Sequence, residues 1–359
     1  MVKKIMTPGP TQVRENVRMA RSLECTNPDI DLEFVEFYKN TCDIISRILH
    51  TNNTTFILDG EGILGLEAAC ASLTEPGDKV LVLDNGVYGR GFADFVTMYG
   101  GEVTFFSCEY DRAFEVEALR AFLEKNHDFK YATLVHCDTP SGMLNPVEEL
   151  SKVLHEFSIM TVVDSVSAMF GEPLDVDNGM IDIVCGGSQK ALSAPPGLSF
   201  VTVSEAAMKA MENRKKPIAS FYANILVFKD YYKNKWFPYT MPISDIYGLN
   251  QALLNVLEDK DIYDRHKKLA EYTRNEILAM GLKLYPTTGY SNTVTVFEVP
   301  EGWTDRKILD AMLEKYDIML TGSFDVFAGK LIRIGHMGEN ANEADVKMTL
   351  QALREILVQ

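Results

Sequence analysis

No run of about 18 apolar residues occurs in this sequence of 359 residues, so no segment is expected to span a membrane. The opening MVKKIMTPGPT reaches proline and glycine before an apolar signal core could form, which favours a cytoplasmic protein. The six cysteines form no CxxC pair, and the six histidines show no HExxH spacing. The sequence therefore predicts reduced thiols and no metal site.

Positive charge is also scarce, with 35 lysines and arginines against 51 aspartates and glutamates and a formal net charge of −16. Such a surface repels a phosphate backbone, so nucleic acid is not an expected partner. No segment is biased enough in composition to indicate disorder, and 46% of the residues are hydrophobic. The length is sufficient for a large domain with a smaller companion.

Short apolar runs alternate with amphipathic stretches from about residue 54 to 203. This alternation predicts an α/β fold with a mostly parallel sheet flanked by helices. The predicted strands are 80–84, 103–106, 131–136, 159–164, 181–185 and 198–203, and the predicted helices between them are 115–124 and 147–157.

Longer helical patterns follow residue 245, at 245–257, 262–280 and 342–357, with strands near 293–299 and 331–334. This change of pattern predicts a smaller α+β domain, against which the N-terminal segment folds. The predicted large domain comprises residues 16–245. The predicted small domain comprises residues 1–15 together with 246–359.

Polar residues that end apolar runs are the first candidates for a site, because ligands bind at the carboxyl ends of strands in an open parallel sheet. Segments of this kind, which we expect to meet in one crevice, are 59–62, 84–89, 138–142, 164–167 and 186–190.

Asp164 and Lys190 are the pair in these segments that indicates a chemistry. Asp164 closes the run IMTVVD, where a buried carboxylate is costly unless it meets a cation or hydrogen-bond donors. Lys190 follows a glycine-rich segment and is expected in the same mouth. Considered separately, Asp164 fits a turn cap and Lys190 a surface lysine. Together they fit an imine-forming amine and the carboxylate that keeps a pyridine ring protonated.

Other candidates have equally plain structural alternatives. Tyr88 is expected in a tight turn, where its ring could cover a flat ligand or belong to the core. The hydroxyls of Thr139 and Ser141 could bind a ligand oxygen or close their own turn. Arg333, in a short strand bounded by glycines, could bind a carboxylate bidentately or form a structural ion pair. His336 is interpreted as a core histidine.

The order of these motifs, from TPGPT to RIGHMG, resembles the class V aminotransferases among the fold-type-I pyridoxal 5'-phosphate enzymes, over essentially the whole chain. The resemblance implies a seven-stranded sheet, pyridoxal 5'-phosphate as cofactor and a homodimer. It implies that Lys190 is the catalytic Schiff-base residue, that Asp164 binds the pyridine nitrogen and that Arg333 binds the substrate carboxylate. Further residues implied to bind cofactor or substrate are Pro8, Gly9, Gly62, Ser167, Gln189, Tyr239 and Thr240, the last two supplied by the partner subunit.

Several stretches are similar more narrowly to the pyridoxamine–pyruvate aminotransferases of that family, including GEGILGLEAACASL at 60–73 and NGVYGRGF at 85–92. Tyr88 matches their ring-stacking tyrosine and Glu61 their glutamate. Ordinary members have a small hydroxyl-bearing motif where this chain has Glu61, Gly62 and Ile63, at a helix N-terminus that takes the cofactor phosphate. A glutamate there can fill the anion site, so Glu61 is interpreted as replacing the phosphate.

Two residues depart from the narrower pattern. Gln189 matches a phosphate-contacting glutamine of the ordinary members, and Phe324 stands where the pyridoxamine enzymes have an arginine. The identity of the amino donor is therefore left open between two possibilities.

The sequence thus predicts an aminotransferase that moves an amino group to a small 2-oxo acid, pyruvate or glyoxylate. Either free pyridoxamine is the donor and yields pyridoxal and L-alanine, or pyridoxal 5'-phosphate stays bound while alanine, serine or 2-aminoethylphosphonate is the donor. The alternative outside enzymes is a B6-binding protein without catalysis. A cysteine desulfurase is disfavoured because no cysteine follows Cys185.

Overall fold

A computed structural model of the chain describes residues 3–358. Its strands are β1 (Lys4–Ile5), β2 (Thr54–Asp59), β3 (Lys79–Asp84), β4 (Glu102–Ser107), β5 (Tyr131–Val135), β6 (Cys137–Asp138), β7 (Met143–Leu144), β8 (Met160–Asp164), β9 (Ile183–Gly187), β10 (Leu198–Val203), β11 (Val294–Glu298), β12 (Ile318–Met319), β13 (Thr321–Gly322) and β14 (Leu331–Gly335). Its α-helices are α1 (Glu15–Ala20), α2 (Leu32–Ile48), α3 (Gly62–Leu73), α4 (Val87–Met98), α5 (Val116–Leu123), α6 (Val147–Glu156), α7 (Glu205–Glu212), α8 (Tyr231–Asn234), α9 (Ile243–Glu258), α10 (Ile262–Ala279), α11 (Asp305–Tyr316) and α12 (Glu343–Leu357).

Seven strands form the central sheet, in the order β2-β10-β9-β8-β5-β3-β4. Neighbours from β9 to β4 run parallel, whereas β10 is antiparallel to both β2 and β9. The inner strands β5 and β9 are buried along their whole length, which explains their continuous apolar sequence. The predicted α/β fold with a mostly parallel sheet is confirmed.

The buried apolar residues form two separate cores. The larger core packs helices against the seven-stranded sheet. The smaller core includes Ile277, Phe297, Ile332 and Leu353, which come from α10, α12 and the antiparallel sheet β11-β14-β13. The predicted domain boundary at residue 245 falls in the first turn of α9, and this division stays a prediction.

The predicted helices 245–257, 262–280 and 342–357 correspond to α9, α10 and α12, whereas α11 was not predicted. Asn342 caps α12 by accepting hydrogen bonds from the backbone N–H groups of Ala344 and Asp345. Helix α2, which was not predicted, begins in the same way after Asp31. None of the helices within residues 3–358 combines the length and apolar character that a membrane crossing requires.

The N-terminal segment, residues 4–11, links the smaller core to the loop after β9. Its strand β1 pairs in parallel with β12, and Gly335 N–H then donates to Met6 O over 2.8 Å. Farther along, Thr11 N–H donates to Gln189 O over 3.1 Å and Thr11 Oγ1 donates to Lys190 O over 3.0 Å. Residues of the Lys190 loop are thus tied to the strand that carries Arg333.

This close contact depends on the absence of a side chain at Gly335, because an added Cβ would overlap Thr7 O and Pro8 N. We expect Gly335→Ala to lower the free energy of unfolding by about 1–3 kcal/mol, since backbone atoms must shift. Gly91→Ala is the matched control, because nothing lies within 4 Å of the added Cβ. That control should raise stability by about 0.5–1 kcal/mol, as alanine favours a helix. Urea denaturation measures both, and equal effects would contradict the proposed tight contact.

Candidate active site

A cavity of about 330 Å³ opens at the carboxyl ends of the parallel strands, as the fold predicts. Most residues predicted for the site line it. The lining residues are Gly9, Pro10, Glu61, Gly62, Ile63, Leu66, Tyr88, Asp164, Val166, Ser167, Gln189, Lys190 and Pro196.

Asp164 ends β8 and is almost fully buried, with 5% of its surface exposed. Its Oδ1 accepts a hydrogen bond of 2.9 Å from Val166 N–H, so it does cap the following turn. Its Oδ2 has no hydrogen-bond partner among residues 3–358 and no cation within 4.0 Å. Burial raises the pKa of Asp164 to about 7. This carboxylate is therefore poised to receive a cationic partner from a ligand.

Lys190 also lines the cavity and is partly buried, and its Nζ donates to Pro8 O over 2.7 Å. Burial, followed by the charge of Arg333, lowers the pKa of Lys190 to about 8. Gly9 lies directly against the lysine: its φ of +97° favours glycine, and an added Cβ would lie 2.9 Å from Nζ. Lys190 is thus a confined amine that is readily neutral, and the surface-lysine alternative is wrong.

Tyr88 does not lie in a tight turn, as the sequence suggested, but in the first turn of α4. Glycines on both sides misled that prediction, because Gly86 precedes the helix and Gly89 lies within it. The Tyr88 ring lines the cavity and meets the Phe324 ring edge-on, with centroids 6.0 Å apart. Burial raises the pKa of Tyr88 to about 12, so its phenol is neutral. The ring is available to cover one face of a flat ligand.

Glu61 precedes α3, and its Oε1 accepts a hydrogen bond of 3.1 Å from Ile63 N–H. Its Oε2 accepts a hydrogen bond of 2.9 Å from Gln189 Nε2. The amide of Gln189 is therefore oriented by a carboxylate that can only accept. Gln189 Oε1 is buried and has no partner within residues 3–358. This part of the cavity thus presents one acceptor oxygen that lacks a donor, Gln189 Oε1, beside a carboxylate.

Arg333 lies within β14 and is 8% exposed. Its Nε donates to Gly322 O over 2.9 Å, and its guanidinium lies 5.3 Å from the centre of the Phe324 ring. No carboxylate of the described residues lies within 4.0 Å of it, so the structural ion-pair alternative is wrong. Burial lowers the pKa of Arg333, yet an arginine remains charged. A buried unpaired guanidinium is a receptor for a ligand carboxylate.

Six predicted residues do not line this cavity: Pro8, Thr139, Ser141, Tyr239, Thr240 and Arg333. The Ser141 hydroxyl donates to Asp138 Oδ2 over 2.8 Å and so closes its own turn. Thr139 Oγ1 is buried without a partner within residues 3–358. Tyr239 stacks on Tyr222 with centroids 4.5 Å apart, and Thr240 is exposed.

His336 is fully buried and contacts Thr295 Oγ1 at 2.8 Å and Asn292 O at 3.1 Å, in agreement with its interpretation as a core histidine. Asp138 begins the predicted strand-end segment 138–142 but was given no role, and its carboxylate caps α4. No local signal indicated this role, because Asp84 and Asn85, which are common capping residue types, precede the helix in the sequence.

Comparisons with known proteins give one consistent result. Residues 28–326 match the family described as aminotransferase class-V. An uncharacterised aminotransferase of Methanocaldococcus jannaschii is 36% identical, over 99% of this chain and 93% of that protein. The pyridoxamine–pyruvate transaminase of Mesorhizobium japonicum is 32% identical, over 90% of this chain and 84% of that protein.

Solved structures agree with this result. The ureidoglycine-glyoxylate aminotransferase of Bacillus subtilis superposes with a TM-score of 0.95 at 28% identity, covering 100% of this chain and 93% of the other. The alternative of a B6-binding protein without catalysis is not favoured by these relatives, which are transaminases. The chain belongs to the class V aminotransferase family.

Proposed function

We propose that this aminotransferase moves the amino group of free pyridoxamine to a small 2-oxo acid, pyruvate or glyoxylate. With pyruvate the products are pyridoxal and L-alanine, so one amino group and one carbonyl oxygen exchange places. The observation that carries this proposal is the Glu61–Gln189 pair at the N-terminus of α3.

The pair discriminates between the two forms of vitamin B6. A phosphate ester needs N–H donors at this place, but Ile63 N–H and Gln189 Nε2 already donate to Glu61. A phosphate dianion would also meet the carboxylate of Glu61 and the unpaired Gln189 Oε1, neither of which can donate. The hydroxymethyl group of free pyridoxamine carries an O–H that either acceptor can bind. A pyridoxamine–pyruvate transaminase among the relatives supports the same choice.

The second candidate is an ordinary aminotransferase that retains pyridoxal 5'-phosphate. One observation favours it: α3 is a 12-residue helix whose N-terminus lines the cavity through Gly62 and Ile63. Such a terminus attracts an anion, and rotation of the exposed Glu61 side chain would leave its amides free.

The residues of the cavity fit a pyridine ring with a carbonyl or amino substituent. The bound ring supplies the electron sink for the amino-group transfer. Asp164 Oδ2 would hold the protonated ring nitrogen, and the Tyr88 ring would cover one face. Lys190, in its neutral form, is the amine that takes and returns the proton at the reacting carbon.

Arg333 anchors the other reactant. Its two terminal nitrogens match the carboxylate of a 2-oxo acid or an amino acid in a bidentate arrangement. The charge of Arg333 lowers the pKa of Lys190, so a carboxylate bound to Arg333 lies within electrostatic reach of the lysine. Glu61 and Gln189, at the N-terminus of α3, bind the hydroxymethyl group of the B6 molecule.

We further propose a homodimer in which Tyr239 and Thr240 complete the partner's site. Exposed aromatic side chains lie close to Tyr239: Tyr222, 49% exposed, stacks on it, and Phe221, 58% exposed, contacts Tyr222. Exposed aromatic residues of this kind are enriched in protein interfaces.

The first test compares pyridoxamine with its phosphate ester as amino donors for pyruvate, following pyridoxal absorbance. We expect repeated turnover with the free amine and kcat/KM at least about 100-fold lower with the ester, because like charges at close range repel. Glu61→Gln should reduce this preference about tenfold or more. Asp59→Asn makes the same charge change two residues earlier, outside the cavity lining, and should leave the preference unaltered. Tightly bound ester in the purified protein, without turnover of the free amine, would favour the second candidate.

The second test concerns the cost of burying Asp164. Because its folded pKa of about 7 lies above the usual 3.8, ionisation opposes folding, and stability falls as the pH rises from about 4 through 7. We expect ligand-free Asp164→Asn to be more stable than the wild type at pH 8, by a few kcal/mol at most, since one pKa unit corresponds to about 1.4 kcal/mol.

The advantage of Asp164→Asn should vanish near pH 4, as thermal unfolding across this range would show. Turnover should fall about 100-fold or more, because the ring nitrogen loses its counter-charge. If the difference in stability between Asp164→Asn and the wild type did not depend on pH, ionisation of the Asp164 carboxylate would not be its cause.

The third test asks whether Tyr239 acts in the partner's site. We expect Lys190→Ala and Tyr239→Ala each to be impaired alone, while their mixture regains activity after subunit exchange, because each hybrid dimer contains one intact site. A mixture of Lys190→Ala with Asp164→Asn is the control and should stay inactive, because both residues line the same chain's cavity. A fully active monomer in sedimentation would refute the shared site.

A further inference from the structure

Helix α4 begins without a capping side chain of its own. Its N-cap residue is Gly86, and its first turn contains no acidic residue. The first N–H groups of a helix have no partner within the helix and need one from outside. Because Tyr88 lies in that first turn, whatever binds these N–H groups also fixes the position of its ring.

Asp138 supplies the missing cap from another element, the strand β6. Its Oδ1 accepts a hydrogen bond of 2.9 Å from Tyr88 N–H. The backbone of Gly86 is extended, with φ 178°, so its conformation does not require glycine. Glycine is required for lack of space, because an added Cβ would overlap the Asp138 carboxylate. Gly86 and Asp138 therefore form one device, in which a distant carboxylate occupies the place of a local cap.

This arrangement costs more free energy than an ordinary helix cap, because it buries a carboxylate. Asp138 is 0% exposed, and no cation of the described residues lies within 4.0 Å of it. Ser141 Oγ and Ser141 N–H donate to its Oδ2 over 2.8 and 3.3 Å, but burial still raises the pKa of Asp138. The usual local cap, a serine or aspartate at the N-cap position, would not require a distant carboxylate to be buried without a cation.

The position of Asp138 also relates it to the reacting groups. Burial is the main cause of the raised pKa of Asp164, and the charge of Asp138 raises it further. The same charge acts on Tyr88 and on Arg333. Asp138 therefore borders the cavity without lining it.

We propose that Asp138 is a positioning residue for amino-group transfer: by capping α4 from β6, it holds the Tyr88 ring over the B6 ring. The proposal rests on the proposed function, because it requires a ring in the cavity for Tyr88 to cover. Asp138 acts through Tyr88 and touches neither reactant.

A double-mutant cycle with Tyr88→Leu tests this route, using the B6 form that the wild type turns over. We expect Asp138→Ala to raise the KM for the B6 amine about tenfold, because the stacking ring is displaced, and to leave the KM for pyruvate within about twofold. In the Tyr88→Leu background the same change should alter the KM for the B6 amine less than about twofold. Asp138→Asn keeps an acceptor for Tyr88 N–H and should recover most of the loss.

Asp84→Ala is the matched control, because Asp84 is also buried at a strand end and binds α4 through Arg90. Its effect should be the same with Tyr88 and with Leu at position 88. Equal penalties for Asp138→Ala in both backgrounds, or no rescue by Asp138→Asn, would overturn the positioning role in an active enzyme.

Amide hydrogen exchange provides a readout that does not depend on turnover. We expect the Tyr88 amide to exchange at least about tenfold faster in Asp138→Ala than in Asp84→Ala, because its hydrogen bond is lost. Unchanged exchange would overturn the proposal. A wild type that turns over neither B6 form would instead refute the proposed function, and the exchange result would still show whether Asp138 holds Tyr88.

Discussion

Desolvation of two opposite charges in one cavity is the constraint on which the rest of this site depends. Asp164 and Lys190 are both drawn toward neutrality, with pKa values of about 7 and about 8, and neither forms an ion pair with the other within 4.0 Å. A direct pair would be more stable but unavailable to a ligand. The fold keeps them apart by fixing each near the end of a different strand. A ligand that carries a cationic ring and a carbonyl therefore supplies the polar partners that both side chains lost on burial.

The remaining polar groups distinguish the two reactants. Glu61 and the unpaired Oε1 of Gln189 are acceptors near the N-terminus of α3, whereas Arg333 has no carboxylate partner among residues 3–358. A reactant with a hydroxyl group and one with a carboxylate therefore suit different groups. Electrostatic complementarity of this kind selects between reactants more than it increases affinity. For this reason the choice between free and phosphorylated vitamin B6 depends on Glu61 and Gln189, and not on the groups that perform the transfer.

Much of the fold and part of the site follow from local sequence. The strands β3, β5 and β8 were predicted because buried parallel strands need continuous apolar residues, and the buried antiparallel strand β10 has a similar apolar sequence. Asp164 and Lys190 were predicted because they lie at or after the ends of such strands. The position of Tyr88 was misjudged because nearby glycines indicate turns in general, whereas Gly86 is small to accommodate a residue 52 positions later in the chain. Helix α2 carried an Asp31 cap and apolar residues at helical spacing, so its signal was present and overlooked. No local pattern could reveal that Arg333 lacks a carboxylate partner, because this depends on every chain segment around it.

Close packing at three glycines helps to fix the relative positions of the side chains in the site. Gly9 lies against Lys190, Gly86 against Asp138 and Gly335 against Thr7 and Pro8, and in each case the space for a side chain is filled by atoms from a distant segment. The N-terminal segment is therefore held on one side by β14, which carries Arg333, and on the other by the lysine. Displacement of that segment would move the Pro8 carbonyl that binds Lys190 Nζ. The lysine, the arginine and the stacking tyrosine consequently owe their relative positions to backbone contacts that only glycine permits, and the chemistry of the cavity is set by packing outside it.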